Sequence, residues 1–177
     1  MKRTFSAEEL KSGLNELVER LSQHDIESSI YIVGGAAFLF RGVSRRLTVD
    51  IDAKVTNAGL VLKLADEIAE QNGWPTEWFN NAARIFVPFE TDYEKWELYL
   101  SKGQVRVYLA PLEDLLVMKL NAARPTRDDE DILYLLGQLN LKTPDQIIDF
   151  YEARVKGETL PQKALKLLSQ ILEVTNE

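Results

Sequence analysis

The chain has 177 residues, 28 of them Asp or Glu and 21 Lys or Arg, for a formal net charge of −7. With no cysteine and a single histidine, His24, it excludes disulfide scaffolds, thiol nucleophiles and zinc sites built from several cysteines or histidines. No apolar run approaches a membrane span, the first residues lack the apolar segment of a signal peptide, and an acidic balance disfavours indiscriminate nucleic-acid binding, so a cytoplasmic protein with no membrane partner is expected.

Ser6-Ala7-Glu8-Glu9 reads as a capping box. Leu10, Leu14, Leu17, Val18 and Leu21 then recur at helical spacing, which predicts an amphipathic helix to about Ser22, with His24 in solvent just past it. Ile30 to Val33 reads as a short apolar strand stopped by Gly34-Gly35, and a short helix is expected directly after the glycines, over Ala36 to Phe40. A second strand is expected around Val49 to Val55 and a second amphipathic helix from Leu60 to Gln71. Arg84 to Phe89, Lys95 to Ser101 and Gln104 to Leu109 each read as strands, the last two joined by a turn at Lys102-Gly103. Trp74, Trp78 and Trp96 read as core or turn anchors.

From Pro111 onward the pattern is helical only, over Pro111 to Ala123, Asp128 to Leu139, Thr143 to Val155 and Thr159 to Leu172. The last two open on T-x-x-Q boxes, Thr143 to Gln146 and Thr159 to Gln162. The expected plan is therefore α+β. A mixed β-sheet flanked by helices occupies residues 1–110, and an all-helical part, residues 111–177, packs on that core.

The stretch that carries chemistry is Gly34-Gly35-Ala36-Ala37 followed by Arg45-Arg46-Leu47-Thr48-Val49-Asp50-Ile51-Asp52. Asp50 and Asp52 lie two apart on a strand, so both carboxylates point to one face while Val49, Ile51 and Ala53 face the core. Paired carboxylates repel unless a positive charge lies between them. A hard cation such as Mg²⁺ fits, because it takes oxygen ligands and keeps positions open for substrate phosphates. A glycine pair between strand and helix lets main-chain amides approach a phosphate. Each motif alone is commonly a tight turn or a solvated strand face; the two together, in this order, are far more specific.

G-G-x-A followed by R-x-T-x-D-x-D resembles the signature of the DNA polymerase β-type nucleotidyltransferase superfamily. The resemblance is closest to the small bacterial branch that includes the AbiEii and MenT toxins of toxin–antitoxin and phage-defence systems. Trp78 to Ala82, Val105 to Leu109, Pro111 to Leu120 and Arg127 to Ile132 resemble further blocks of that branch, so the likeness spans roughly residues 30–136. It implies a nucleotidyltransferase fold and transfer of a nucleoside monophosphate from a nucleoside triphosphate to an acceptor. In that reaction Asp50 and Asp52 would hold Mg²⁺, Gly34 and Gly35 would contact the triphosphate, and Lys119 and Asp128 would complete the site. Relatives imply transfer RNA as acceptor, with a small molecule or a protein chemically open, and a cognate antitoxin as a possible partner.

Lys119 also stands out without the family. At 100° per residue it falls in the middle of the stripe formed by Leu112, Leu115, Leu116, Leu120, Ala122 and Ala123. A lysine on such a line snorkels out, pairs with a carboxylate or meets an anionic ligand. Asp128 reads first as a helix cap, but the stripe of Ile132, Leu135, Leu136 and Leu139 places it near the buried side, where it could meet Lys119, with Asp131 in reserve. Arg41, Arg45 and Arg46 form a positive run in which Arg46 could steady phosphates, and Thr48 could orient Asp50 or contact phosphate. Arg124 and Arg127 are candidates for the same positive cleft.

One departure from the family pattern is clear. The strand Val105 to Leu109 carries Arg106 and Tyr108 where a third carboxylate commonly stands, and Glu90, Asp92 and Glu97 are the available substitutes. Two further readings follow from it: a catalytically inactive nucleotide-binding module of the same fold, and an interaction protein whose helical half binds a partner chain.

Overall fold

The computed structural model describes residues 3–43, 48–85 and 92–174, with the side chains of 84, 85, 173 and 174 left aside. Five strands and seven α-helices are formed among these residues, an α+β architecture consistent with a nucleotidyltransferase-like fold. The chain divides into two compact units, Met1–Ala110 and Pro111–Glu177. No helix among the described residues is long and apolar enough to cross a membrane.

In the first unit, helix α1 (Ala7–Ser22) opens on the expected capping box: the Glu9 amide donates to Ser6 Oγ at 3.2 Å and the Ser6 amide to Glu9 Oε2 at 2.9 Å. Its apolar stripe, Leu10, Leu14, Leu17, Val18 and Leu21, is buried throughout. Strand β1 (Ser28–Ile32) leads into helix α2 (Gly34–Phe40), strand β2 (Ile51–Val55) and helix α3 (Ala58–Asn72). Short β3 (Phe79–Asn80), β4 (Glu97–Lys102) and β5 (Val105–Leu109) complete the sheet, whose order is β3-β2-β1-β5-β4. β1 runs antiparallel to β2 and parallel to β5. β3 is parallel to β2, and β4 is antiparallel to β5.

Alternation along the strands sorts the side chains. Ile30, Ile32, Ile51, Ala53, Val105, Val107 and Leu109 are buried, whereas Ser29, Tyr31, Asp52, Lys54, Arg106 and Tyr108 occupy the half-exposed face. α1 packs on α3, and the close approach is made at Gly13. A Cβ there would lie 2.8 Å from both the Trp74 and Trp78 rings, and Trp78 is fully buried with its indole N–H donating to the Ala65 carbonyl at 2.9 Å. Gly13→Val is therefore expected to cost about 1–3 kcal/mol through overpacking, read as a lower midpoint in urea; an unchanged midpoint would show that the tryptophans move aside.

Several boundaries differ from the sequence reading. α2 takes in the glycines and begins at Gly34, which has φ +62°, a left-handed conformation open to glycine at little cost. Ala82–Ile85 forms a 3-10 turn where a strand from Arg84 was expected, and the rest of that stretch lies outside the described residues. Short β3, unexpected from sequence, forms just before it, held by parallel pairing to β2.

In the second unit, α4 (Leu112–Ala122), α5 (Asp129–Gln138), α6 (Pro144–Arg154) and α7 (Gln162–Val174) follow one another. The Thr143–Gln146 box caps α6. The Thr159–Gln162 box does not form, since α7 starts only at Gln162 and its first bonds go from Ala164 and Leu165 to the Pro161 carbonyl. α4 and α5 pack on each other, and both touch α7.

Candidate functional site

The end of β1 and the start of β2 lie side by side because the two strands are antiparallel, with Ile32 opposite Ala53 and the Val33 amide bonded to the Asp52 carbonyl at 2.9 Å. Gly34 consequently stands against Asp52. A Cβ on Gly34 would be 3.4 Å from Asp52 Oδ2, and one on Gly35 would be 2.9 Å from Thr48 Oγ1. The glycine pair thus leaves main chain bare beside the acidic pair. Any larger residue at 35 would strike Thr48.

Ile51 and Ala53 are buried, and Asp50, Asp52 and Lys54 alternate with them on the half-exposed face. The two carboxylates have different surroundings. Asp50 accepts from Asn80 Nδ2 at 3.2 Å, an alignment set by β3, where Asn80 stands opposite Asp52. No hydrogen bond or ion pair joins the Asp52 carboxylate to another described residue. Thr48 donates its hydroxyl to the Asp50 main-chain carbonyl at 3.2 Å, so it braces the backbone of the loop. Asn80, not Thr48, orients the Asp50 carboxylate. Its residue name was visible in the block Trp78 to Ala82, but only the pairing of β3 with β2 gives it this role. Arg45 and Arg46, and with them the proposed phosphate contact of Arg46, lie outside the described residues.

Two of the three candidate third acids are otherwise engaged. Glu97 pairs with Arg41 at 3.0 Å, and Asp92 accepts the Glu94 amide at 3.1 Å and pairs with Lys95 at 3.2 Å. Glu90 lies outside the described residues. Among the described residues no three acidic or histidine side chains gather into a metal site. Two carboxylates on one strand face are nonetheless a donor set that Mg²⁺ accepts, since it commonly takes one or two carboxylates and completes its shell with water and substrate phosphates.

In the helical unit, Lys119 is 9% exposed and Asp128 fully buried. Lys119 Nζ lies 2.8 Å from Asp128 Oδ1 and 2.8 Å from Asp131 Oδ2, so of the outcomes open to a lysine on an apolar stripe it takes the carboxylate-paired one. Asp128 also accepts from Arg124 three times: the main-chain amide at 3.0 Å, Nε at 2.9 Å and Nη2 at 3.1 Å. Burial alone would raise this carboxyl, but the Arg124 and Lys119 hydrogen bonds outweigh it and lower the pKa from 3.8 to about 2. A carboxylate already accepting four hydrogen bonds is poorly suited to take a proton; its evident work is to fix Lys119 and the turn between α4 and α5. That turn contains two non-glycine residues in left-handed conformation, Ala123 at φ 40° and Thr126 at φ 63°.

This lowered pKa predicts an acid-sensitive contribution to stability. It is complete above the unfolded value near 3.8 and is lost as pH falls through about 2, a difference of about 2 kcal/mol. Denaturant titrations between pH 5 and 2 should show wild type losing more stability over this window than Asp128→Asn. Parallel curves would mean that Asp128 does not hold its low pKa.

A family model described as "Nucleotidyltransferase of unknown function (DUF6036)" matches residues 8–165, nine-tenths of the chain. The chain belongs to this family. Comparison with curated proteins and with solved structures gives no match. The matched span of this nucleotidyltransferase family covers the glycine pair, the acid pair, Asn80 and the Lys119–Asp128 cluster alike.

Proposed function

We propose that the protein is a Mg²⁺-dependent nucleotidyltransferase that moves a nucleoside monophosphate from a nucleoside triphosphate to an acceptor. The observation that carries this reading is the Asp52 carboxylate, unbonded to other described residues and set against the bare main chain of Gly34. Asp50 and Asp52 would hold the cation, which supplies charge neutralisation to the triphosphate and to its transition state. Asn80 keeps Asp50 in one orientation, so one ligand is in place before substrate arrives. Gly34, bare against Asp52, would let the phosphates approach the main chain, and Gly35 is held to glycine by the close approach of Thr48 while its amide would contact the triphosphate through the family resemblance. The acceptor oxygen attacks the α-phosphorus, the bond to the bridging oxygen breaks, pyrophosphate leaves and the acceptor proton passes to solvent. Lys119 and Asp128 enter through the family resemblance, Asp128 as the residue that positions Lys119.

The resemblance to small bacterial toxins supports a place in a toxin–antitoxin or phage-defence system, with a cognate antitoxin as partner and transfer RNA as the first acceptor to try; small molecules and proteins follow. Incubation with labelled nucleoside triphosphates, Mg²⁺ and total RNA or protein tests the reaction directly. Label on an acceptor supports the proposal, and absence of label with every nucleotide and acceptor pool overturns it. One observation favours a second reading, an inactive nucleotide-binding module: β5 presents Arg106 and Tyr108, not an acid, on the face that Asp52 shares. Calorimetric binding of a nucleotide without any turnover would select it.

A further inference from the structure

The half-exposed sheet face continues beyond the acid pair. Strand register places Lys54, Tyr31, Tyr108 and Leu98 directly opposite one another on β2, β1, β5 and β4. With strands about 4.8 Å apart, these four make a strip about 15 Å long. One end of the strip lies a single strand repeat, about 7 Å, from Asp52, two residues before Lys54 on β2. The Tyr31 and Tyr108 rings stack in it with centroids 5.1 Å apart and planes 12° from parallel.

Three features lie in this strip or against it. Leu98 is 53% exposed, one of only two large apolar side chains so open among the described residues. Lys54 is half-buried: its ammonium donates to the Tyr93 hydroxyl and lies 4.8 Å from that ring's centroid, with no carboxylate paired to it among the described residues. Trp96 is 4% exposed and packs against Tyr31 and Tyr93, yet its indole N–H has no acceptor among the described residues. A buried donor without an acceptor is destabilising until something supplies one. Among the described residues, a cation with no carboxylate partner beside the acid pair, a donor without an acceptor, and an exposed apolar end on stacked rings together describe a receptor for a flat polar ring carrying negative charge.

We propose that the strip seats the nucleoside triphosphate, with its phosphates toward Asp52 and Lys54 on β2 and its base on the Tyr108–Leu98 end. This rests on the nucleotidyltransfer reading and adds to it the place of the base. Stacking on an aromatic surface tolerates any base, so the seat contributes affinity to all nucleotides.

The test is calorimetric binding, in Mg²⁺, of each of the four ribonucleoside triphosphates and of inorganic tripolyphosphate. Wild type should bind each nucleotide about tenfold more tightly than tripolyphosphate, the margin that one stacking contact provides. Tyr108→Leu and Leu98→Ser should each shrink that margin while leaving tripolyphosphate affinity unchanged, and Tyr108→Phe should retain it. Leu98→Ser keeps the test open if Tyr108→Leu fails to fold, because Leu98 already faces solvent. Lys54→Met should weaken nucleotide and tripolyphosphate together. Equal binding of nucleotides and tripolyphosphate by wild type, or a margin that survives both strip variants, overturns the seat and leaves the phosphate site standing. Tripolyphosphate affinity unchanged by Asp50→Asn with Asp52→Asn overturns the phosphate site itself, and binding of neither ligand overturns both.

Discussion

Asp50→Asn with Asp52→Asn is expected to lower nucleotidyl transfer by at least about a thousandfold, since removal of charge at the reacting phosphate is among the most damaging losses a phosphoryl-transfer site can suffer. The fold should survive. Asp52 holds nothing together among the described residues, and asparagine keeps the shape of both side chains. Single variants separate the two aspartates, and Asn80→Ala should cost about 10–100-fold by removing the amide that helps orient Asp50. Thermal denaturation gives an activity-independent readout: Mg²⁺ should raise the melting temperature of wild type and not that of the double variant. Transfer that persists in the double variant would remove these aspartates from the mechanism altogether.

Asp128→Ala is expected to be the most destabilising single substitution in the helical unit, at about 3–5 kcal/mol. It strands the Lys119 ammonium with Asp131 alone and leaves three Arg124 donors without their acceptor beside a turn that already holds two left-handed residues. Lys119→Met, which fits the surrounding leucine stripe, should cost less, because Asp128 keeps its three bonds from Arg124. A double-mutant cycle between the two positions should return a coupling of at least about 1 kcal/mol. Chemical denaturation of the four proteins measures it. Additive effects would show that the ion pair contributes nothing beyond its separate parts.

Local interactions are the ones the sequence reveals. The Ser6–Glu9 and Thr143–Gln146 boxes were legible because every group involved lies within four residues. The Lys119–Asp128 contact was legible for a related reason: two helical stripes joined by a short turn bring their inner faces together, whatever the chemistry of the pair. The Thr159 box shows the limit. Pro161 lacks an amide, which favours it at a helix start, and α7 begins immediately after it, so the box lies outside the helix. β3 is two residues long and exists through pairing with β2, a partner some 28 residues away in sequence, so no periodicity could reveal it. Asn80 and the strip of Lys54, Tyr31, Tyr108 and Leu98 were hidden for the same reason. Their members come from separate strands, and only register makes them neighbours.

The antiparallel pairing of β1 with β2 has a consequence for how this site tolerates change. Gly34 and Asp52 are 18 positions apart in sequence, yet they meet because the exit of one strand adjoins the entry of the next, and the sheet ladder enforces that whatever the connecting chain does. The length of the connection is therefore nearly a free variable. Loop-closure entropy grows only with the logarithm of length, so doubling such a connection costs about 0.6 kcal/mol. Gly42 lies in open space, with nothing within 4 Å of where a Cβ would be. Residues spliced in beside it would lengthen the connection without parting Gly34 from Asp52. Asp52 is fixed by the ladder and Gly34 by the strand exit beside it, so their meeting does not depend on the length of the chain between them.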